Sequence, residues 1–402
     1  MTETLPAMPV HRAAPLDPPL EYHRLREEQP VTRVRFPNGT SGWLVTRFEE
    51  GSAVFADPRL SARRPRHDTP EGEVSEAGEE APFNPTFVMM DEPDHGRYRR
   101  LLAGRFTPKS VRRTLQPYID RIVDEHLDAI AAGPATFDFV QAMALPVPCL
   151  VICELLGVPY ADRDGFHHAT EAMMDMANSR AERDRGARWL IDYITRLVAD
   201  KRRTGAADGL LAELIAVADG EDGFLTDDEL IGMGVLLLFA GHDTTAAMMG
   251  LSVFTLLTHP EQRADLAAHP EKTGQAVEEL LRYLTIVQFG LGRVALEDLE
   301  FAGQHIARGD LVVVAMPAAN RDPRAFDDPD TPDFDRRMSR HLAFGFGVHQ
   351  CLGQNIARAE LSTVLPRLLA RFPGLRLAVP ADQVPMDTHG TNYAVKKLMV
   401  TR

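Results

Sequence analysis

The chain has 402 residues, 44% hydrophobic and 25% charged, so it can bury a large core and is neither disordered nor a disulfide-stapled mini-protein. Its 44 Lys and Arg against 58 Asp and Glu give a net charge of −14, which argues against nucleic acid or an anionic membrane surface as the main partner. Three cysteines cannot build a disulfide framework, and Met1 to Pro19 contain neither an apolar signal core nor a basic leader, so a cytoplasmic protein is expected.

Residues 1–19, rich in Pro and Ala, read as a flexible lead-in, and residues 20–402 as one domain, because no Gly/Ser linker or low-complexity stretch divides them. Val31 to Phe36 and Trp43 to Arg47 are β-prone runs on either side of Pro37-Asn38-Gly39, a hairpin signal. Glu71, Glu73, Glu76, Glu79 and Glu80 lie between Arg66 and Arg97 in a stretch that reads as a solvated loop. Helical spacing then takes over: Leu115, Ile119, Ile122, His126 and Ile130 share one face, and Trp189, Tyr193, Ile194, Leu197 and Val198 repeat the pattern. Most of Leu101 to Leu284 reads as helix. Strand signals return at Leu311 to Ala315, Leu375 to Val379 and Lys397 to Val400, so the expected fold is mainly α with small, scattered β-sheets.

Ile231 to Leu257 is apolar enough to span a bilayer, yet His242, Asp243, Thr244 and Thr245 sit at its middle. A buried helix of a soluble protein is expected instead, with a polar notch that needs partners or a ligand. His242 has no second metal ligand at i±4 and reads as a satisfied core histidine. Cys149 and Cys153 lie four apart in the apolar run Val147 to Val158 and read as core packing.

The most informative segment is Phe344-Gly345-Phe346-Gly347-Val348-His349-Gln350-Cys351-Leu352-Gly353, a Gly-punctuated loop whose cysteine opens a helix with Ile356, Leu361 and Leu365 at its apolar positions. A thiolate there is favoured by the helix dipole and by unpaired backbone N–H groups, and Gly345, Gly347 and Gly353 permit close approach of a flat ligand. Chance agreement at the Phe, Gly, His and Cys positions is on the order of one in a million per chain of this length.

This segment resembles the haem-binding signature of the cytochromes P-450, the haem-thiolate monooxygenases of the bacterial, soluble, ferredoxin-dependent type. The resemblance covers residues from about Leu20 to Arg402 and implies a single domain with haem b held between a long central helix and the cysteine loop. Cys351 is then the axial iron ligand, and the loop residues Phe344, Gly345, His349 and Gly353 and the helix residue Ala240 contact the haem. Two propionates need cationic partners, and the resemblance supplies His95 and Arg99 at i,i+4, Arg293 opening a strand, and His341. Glu279-Leu280-Leu281-Arg282 matches the family's Glu-x-x-Arg pair, a structural buttress that would otherwise read as a surface i,i+3 pair.

Ala240-Gly241-His242-Asp243-Thr244-Thr245 matches the family's oxygen-activation motif. On that reading Gly241 lets the helix open locally, Thr244 hydrogen-bonds the oxygen being reduced, and Asp243 relays protons to it. Helix back-bonding by the Thr and a paired core Asp is the alternative. By position, the substrate pocket is expected to be lined by Phe87, Val88, Met89, Met90, Met173, Met174, Met176, Leu236, Phe239, Val287, Gln288, Phe289 and Tyr393, with Gln288 orienting a polar group. Arg97, Arg99, Arg100, Arg105, Lys109, Arg112 and Arg113 form a basic run without an acidic residue, and Arg105, Lys109, Arg112 and Arg113 are expected to dock an acidic ferredoxin, itself served by a ferredoxin reductase.

The expected reaction is hydroxylation or epoxidation of an apolar small molecule by O2, in secondary metabolism or xenobiotic oxidation, by a monomer free of membrane. A haem sensor is the alternative; it would need neither Asp243 nor Thr244 and would bring a signalling domain for which the sequence offers no segment. A non-haem binding protein would need none of these motifs.

Overall fold

The structure is a computed structural model that describes residues 5–63, 87–220, 224–337 and 340–402, so the acidic stretch from Glu71 to Glu80 lies outside the described residues. The first part of the chain runs through α1 (Glu21–Glu28), β1 (Val31–Arg35), β2 (Ser41–Val45), α2 (Phe48–Ala56), β3 (Leu60–Ser61), α3 (Asp94–Ala103), α4 (Pro108–Thr114), α5 (Gln116–Ala132) and β4 (Thr136–Asp138). Helices then dominate: α6 (Pro146–Leu156), α7 (Arg163–Met174), α8 (Arg180–Thr204), α9 (Gly209–Ala218), α10 (Asp227–Thr258), α11 (Pro260–Ala268) and α12 (Thr273–Leu284). The last part gives β5 (Leu291–Ala295), β6 (Leu299–Phe301), β7 (Gln304–Ile306), β8 (Leu311–Val314), α13 (Met316–Ala319), α14 (Gln354–Arg371), β9 (Arg376–Leu377), β10 (Met386–Asp387), β11 (Ala394–Val395) and β12 (Met399–Thr401).

The hairpin forms as expected, with Val31 opposite Val45 and Gly39 at φ +85° in the turn, a conformation that costs glycine little. It seeds a five-stranded sheet in the order β1-β2-β8-β5-β3, antiparallel except for the β2–β8 pair. Elsewhere β12 pairs with β4 and β9. The lead-in is a correction: Ala7 bridges to Arg35, Met8 N–H donates to Arg35 O (2.8 Å), Arg35 N–H donates to Pro6 O (2.8 Å), and the Met8 side chain is buried. The outer edge of β1 exposes unpaired backbone groups, and Pro6 and Met8 satisfy those of Arg35.

Helix α10 is the axis of the molecule. It starts in a capping box, with Thr226 Oγ1 accepting from Glu229 N–H while the Glu229 carboxylate accepts from Thr226 N–H (2.8 Å), and Asp227, Asp228 and Glu229 favour the positive end of the dipole. Its apolar side chains run from Leu230 to Leu256 with no polar face, so helices pack around it; α6, α8, α9, α12 and α14 all do. Among the described residues it is the one helix long and apolar enough to cross a membrane, and 56% of its most apolar window is buried inside the protein. Helix α14 lies against α5, α12 and α4, which fixes the loop that precedes it.

Candidate active site

The Cys351 loop is shaped by its glycines. Gly345 and Gly347 take φ of +69° and +73°, and a Cβ on Gly347 would stand 2.8 Å from the Phe55 carbonyl oxygen. Gly347–His349 make one 3-10 turn, Cys351 N–H donates to Phe344 O (2.8 Å), and α14 begins three residues later. The side chain of Cys351 is accessible, unlike those of Cys149 and Cys153, which are core residues as expected. Burial of the surroundings pushes the Cys351 thiol up, while the N–H groups of Gly353 and Gln354 and the charges of Arg99 and Arg358 pull it down. The opposing donors and cations are the environment in which a metal cation takes the place of the thiol proton.

Positive charge converges on this loop. The His95 and His349 rings lie 4.1 Å apart, Arg99 Nη2 donates to Gln350 O (2.6 Å), and both His95 and Arg99 come from α3. Burial, followed by the fields of Arg293, His95 and Arg99, pushes His349 down to about 4, with Asp91 as the opposing anion. Arg293 is the third residue of β5 rather than its opening one, and it is buried with its guanidinium 5.2 Å from the Phe55 ring. His95 Nε2 and His349 Nδ1 are buried and have no hydrogen-bond partner. Buried, unpaired donors beside two arginines fit an anionic ligand, and the two carboxylates of haem b supply that anion.

His341 is a correction. Its Nδ1 accepts from Ala343 N–H (3.1 Å) and its Nε2 faces Glu278 Oε2 (3.1 Å), so neither nitrogen remains for a propionate. Burial pushes Glu278 up, but His341 and Arg358 outweigh it and hold the carboxyl at about 2; Arg358 Nη2 donates to Glu278 Oε2 at 3.0 Å. This triad ties α12 to the loop and to α14, and neither Glu278 nor Arg358 stands out in the sequence. One residue on, Glu279 and Arg282 are almost wholly buried and form a two-pronged pair at 2.7 and 2.8 Å. Arg282 Nη1 also donates to Asn320 O and Pro329 O, and Glu279 accepts from Asp333 N–H (2.9 Å) and Arg336 Nε (3.1 Å).

Along α10, Leu236, Phe239, Asp243 and Thr244 are half-buried and Ala240 is exposed, a break in an otherwise buried helix. The stretch from 236 through 240 to 244 is a single stripe at i,i+4 spacing, so α10 opens one face at its midpoint. Thr244 Oγ1 donates to Ala240 O (2.8 Å), the back-bonded arrangement, which leaves its oxygen able to accept. Gly241 corrects the expectation of a locally opened helix: α10 is continuous there, and a Cβ would stand 2.7 Å from Ile152 Cδ1 of α6. The glycine permits helix contact. His242 is buried, but its Nδ1 is unpartnered; Asp243 Oδ1 is 2.7 Å away, out of line for a hydrogen bond. It is therefore not the satisfied core histidine expected, and His167 of α7 stands against it with ring centroids 5.1 Å apart, a neighbour no sequence spacing reveals.

A cavity of about 360 Å³ adjoins this point, lined by His167, Glu171, Met174, Asp243 and Lys396 among others. Of the expected pocket residues, Met174 lines it, while Leu236 belongs to the open stripe and half-buried Phe239 precedes Ala240 in it. Val88 is exposed, and Met89, Met90, Met173 and Val287 are half-buried. Phe87 is core, as is Tyr393, which lies under the Arg12 guanidinium at 3.9 Å. Phe289 is packed with Val294 and Val313 in the cluster beside the sheet, where Met176 joins it, so these two are corrected to structural residues. Gln288 Nε2 donates to Thr388 O and Gly390 O, so its amide nitrogen fastens the C-terminal strands rather than orienting a ligand.

The basic run divides by partner. Arg97 pairs with Glu229, and Arg105 pairs with Glu213, which removes Arg105 from the expected docking set. Lys109, Arg112 and Arg113 on α4 are exposed and have no ion pair among the described residues. They share that helix with buried Val111, which anchors α4 beside α14.

Comparison with known proteins agrees with this arrangement. The cytochrome P450 family model matches residues 271–398, the segment carrying Glu279, Arg282, Arg293, His341 and Cys351. Pentalenic acid synthase of Streptomyces avermitilis is 43% identical over 98% of this chain and 97% of its own. Vitamin D3 dihydroxylase of Streptomyces griseolus is 42% identical over 100% and 98%. The crystal structure of CYP105P1 in complex with filipin I superposes with a TM-score of 0.92 at 40% identity, covering 99% of this chain and 98% of that one. With relatives this similar along the whole length, the chain belongs to the cytochrome P450 family.

Proposed function

We propose that this monooxygenase works through Cys351, Asp243 and Thr244 on an apolar small molecule of secondary metabolism, by hydroxylation or epoxidation. Members of the family bind haem b through a cysteine thiolate and insert one atom of O2 into a small organic substrate, with electrons from redox partners. The bound haem supplies oxygen activation, which thiolate donation to the iron promotes. Everything else falls to this chain's side chains.

Cys351 would hold the iron from the loop, and His95, Arg99, Arg293 and His349 would receive the propionates. The open stripe of α10 carries the argument: exposed Ala240 would leave room for a flat ligand, and half-buried Asp243 and Thr244 follow it within one turn. Thr244 accepts or donates at the oxygen, and Asp243 takes up a proton from the cavity side and passes it on. Electrons come from an acidic ferredoxin, reduced by its reductase, seated on Lys109, Arg112 and Arg113. The relatives named for pentalenic acid and vitamin D3 favour a terpenoid or sterol-like substrate class. We place the protein in the cytoplasm as a monomer. The test is spectroscopic: the reduced protein with carbon monoxide shows the strongly red-shifted Soret band of thiolate ligation, lost in Cys351→His and kept in Cys149→Ala and Cys153→Ala. A red-shifted band surviving in Cys351→Ala overturns the assignment.

A further inference from the structure

Each turnover of a monooxygenase takes up two electrons and two protons, combines O2 with the substrate R–H, and releases R–OH and water. The protons come from solvent, yet Asp243 lies in the middle of the central helix. Two imidazoles stand beside it. One ligand atom each from His167, His242 and Asp243 falls within 4.8 Å of the others. His242 is 2% exposed, and its Nδ1 and that of His167 are both buried without a hydrogen-bond partner. Leaving such a nitrogen without a hydrogen bond is unfavourable, and phenylalanine at position 242 would fill the same aromatic contact with Phe166 without that cost.

The cavity explains why imidazoles stand here. Its walls include the exposed residues Glu171 and Lys396 together with half-buried Asp243 and His167, so one cavity is shared by surface residues and the carboxylate. We propose that His167 and His242 form a proton relay that carries protons from this cavity to Asp243. It rests on the reading of Asp243 as the proton donor in the reaction. A proton delivered by solvent through the cavity binds one nitrogen of His167 while the other nitrogen gives its proton to His242, which in turn gives one to the Asp243 carboxylate; no electron moves in these steps. The two histidines act through Asp243 and do not touch substrate.

Charge around His167 suits this traffic. Burial, then His242, pushes it below the ordinary histidine range, and Asp243 and Glu171 oppose that; His168 on its own helix adds a further cation when protonated. Asp387 and Lys396 line the same cavity. At neutral pH the ring is therefore a neutral acceptor, ready to gain a proton on one nitrogen and release one from the other.

Two measurements on the haem-loaded protein test the relay. In ring-13C-histidine NMR pH titrations of the ferric protein, His167→Gln is expected to shift the His242 titration, and Asp243→Asn to shift both histidines. A His242 signal unmoved by both changes overturns the relay. Reductant consumption is then measured in H2O and D2O with ferredoxin, reductase and 7-ethoxycoumarin as probe, or with no organic compound. His167→Phe and His167→Gln are expected to slow it about three- to tenfold and to enlarge the solvent isotope effect. Asp243→Asn with His167→Phe should be no slower than Asp243→Asn alone, because both act on one route. Additive losses, or wild-type rates in both His167 variants with full haem content, refute the relay. If Asp243→Asn itself runs at the wild-type rate, the donor reading and the relay fall together, whereas a slow Asp243→Asn beside normal His167 variants removes the relay alone.

Discussion

Replacing Glu279 by Gln is expected to be among the most destabilising polar substitutions in this protein. The carboxylate accepts from Arg282 at 2.7 and 2.8 Å, from Asp333 N–H at 2.9 Å and from Arg336 Nε at 3.1 Å, and both it and Arg282 have side-chain exposures of 1% or less. Gln keeps the shape but turns one acceptor into an NH2 that meets a guanidinium N–H, and it leaves the Arg282 charge uncompensated. Arg282 cannot swing away, because Nη1 is held by Asn320 O (2.7 Å) and Pro329 O (2.9 Å). Removing one partner of a buried pair costs about 3–5 kcal/mol, a large share of the roughly 5–15 kcal/mol that holds a domain folded. Urea unfolding of the haem-loaded protein, followed by circular dichroism with haem content read from the Soret band, measures the loss. Glu28→Gln serves as control, since Glu28 pairs with Arg24 at a surface where both side chains are 60% exposed. A Glu279→Gln protein as stable as the Glu28→Gln protein would show that the buried network carries no net stability.

Thr244→Ala should still bind haem and substrate and still consume reductant, but release more hydrogen peroxide and less product; an unchanged product yield per electron would remove Thr244 from the mechanism. Arg112→Glu with Arg113→Glu should slow first-electron transfer and flatten its salt dependence, because steering is screened within about 8 Å at physiological ionic strength; equal loss in a peroxide-driven assay would place the damage in the active site instead. Arg105→Glu is expected to behave differently, lowering stability through Glu213 with little change in ferredoxin affinity, as thermal melts and reduction kinetics would separate. Glu278, held at about 2 against an ordinary value of 4.5, contributes stability that is present above pH 4.5 and lost as pH falls toward 2. The shift corresponds to about 3 kcal/mol at most, discounted because the side chain is 31% exposed, and Glu278→Gln should lose the acid-dependent part of the urea midpoint over that window.

Local chemistry was legible in the sequence wherever one short segment carries its own reason. The hairpin follows from Pro37-Asn38-Gly39, the central helix from an unbroken apolar run, and the cysteine loop from glycines that must take positive φ. What depends on who stands across a gap was not legible. Nothing near Arg105 in sequence points to Glu213, so a run of seven basic residues looked uniform although only part of it is free of ion pairs. The same applies to Tyr393 and Phe289: an aromatic side chain reads equally as pocket wall or core, and Arg12 and the residues beside the sheet decide it. Residues 5–19 misled through composition, since Pro and Ala say nothing of the strand edge that Pro6, Ala7 and Met8 cover.

The histidines show most clearly how position overrides residue type. His95 and His349 keep unpaired buried nitrogens where cations gather, which suits an anionic ligand; His341 has both nitrogens engaged and serves a carboxylate from its own chain. His242 and His167 keep unpaired nitrogens beside a carboxylate and a cavity, which suits a moving proton rather than a fixed anion. A histidine's chemistry here is set by what surrounds its unpaired nitrogen and by whether the second is already taken, as Nδ1 of His95 is by Glu92 Oε1 at 3.1 Å. That is why substitution at His167 should move isotope effects and titration curves, whereas His341→Phe, by freeing Glu278 from one of its two partners, should move acid stability and leave proton delivery alone.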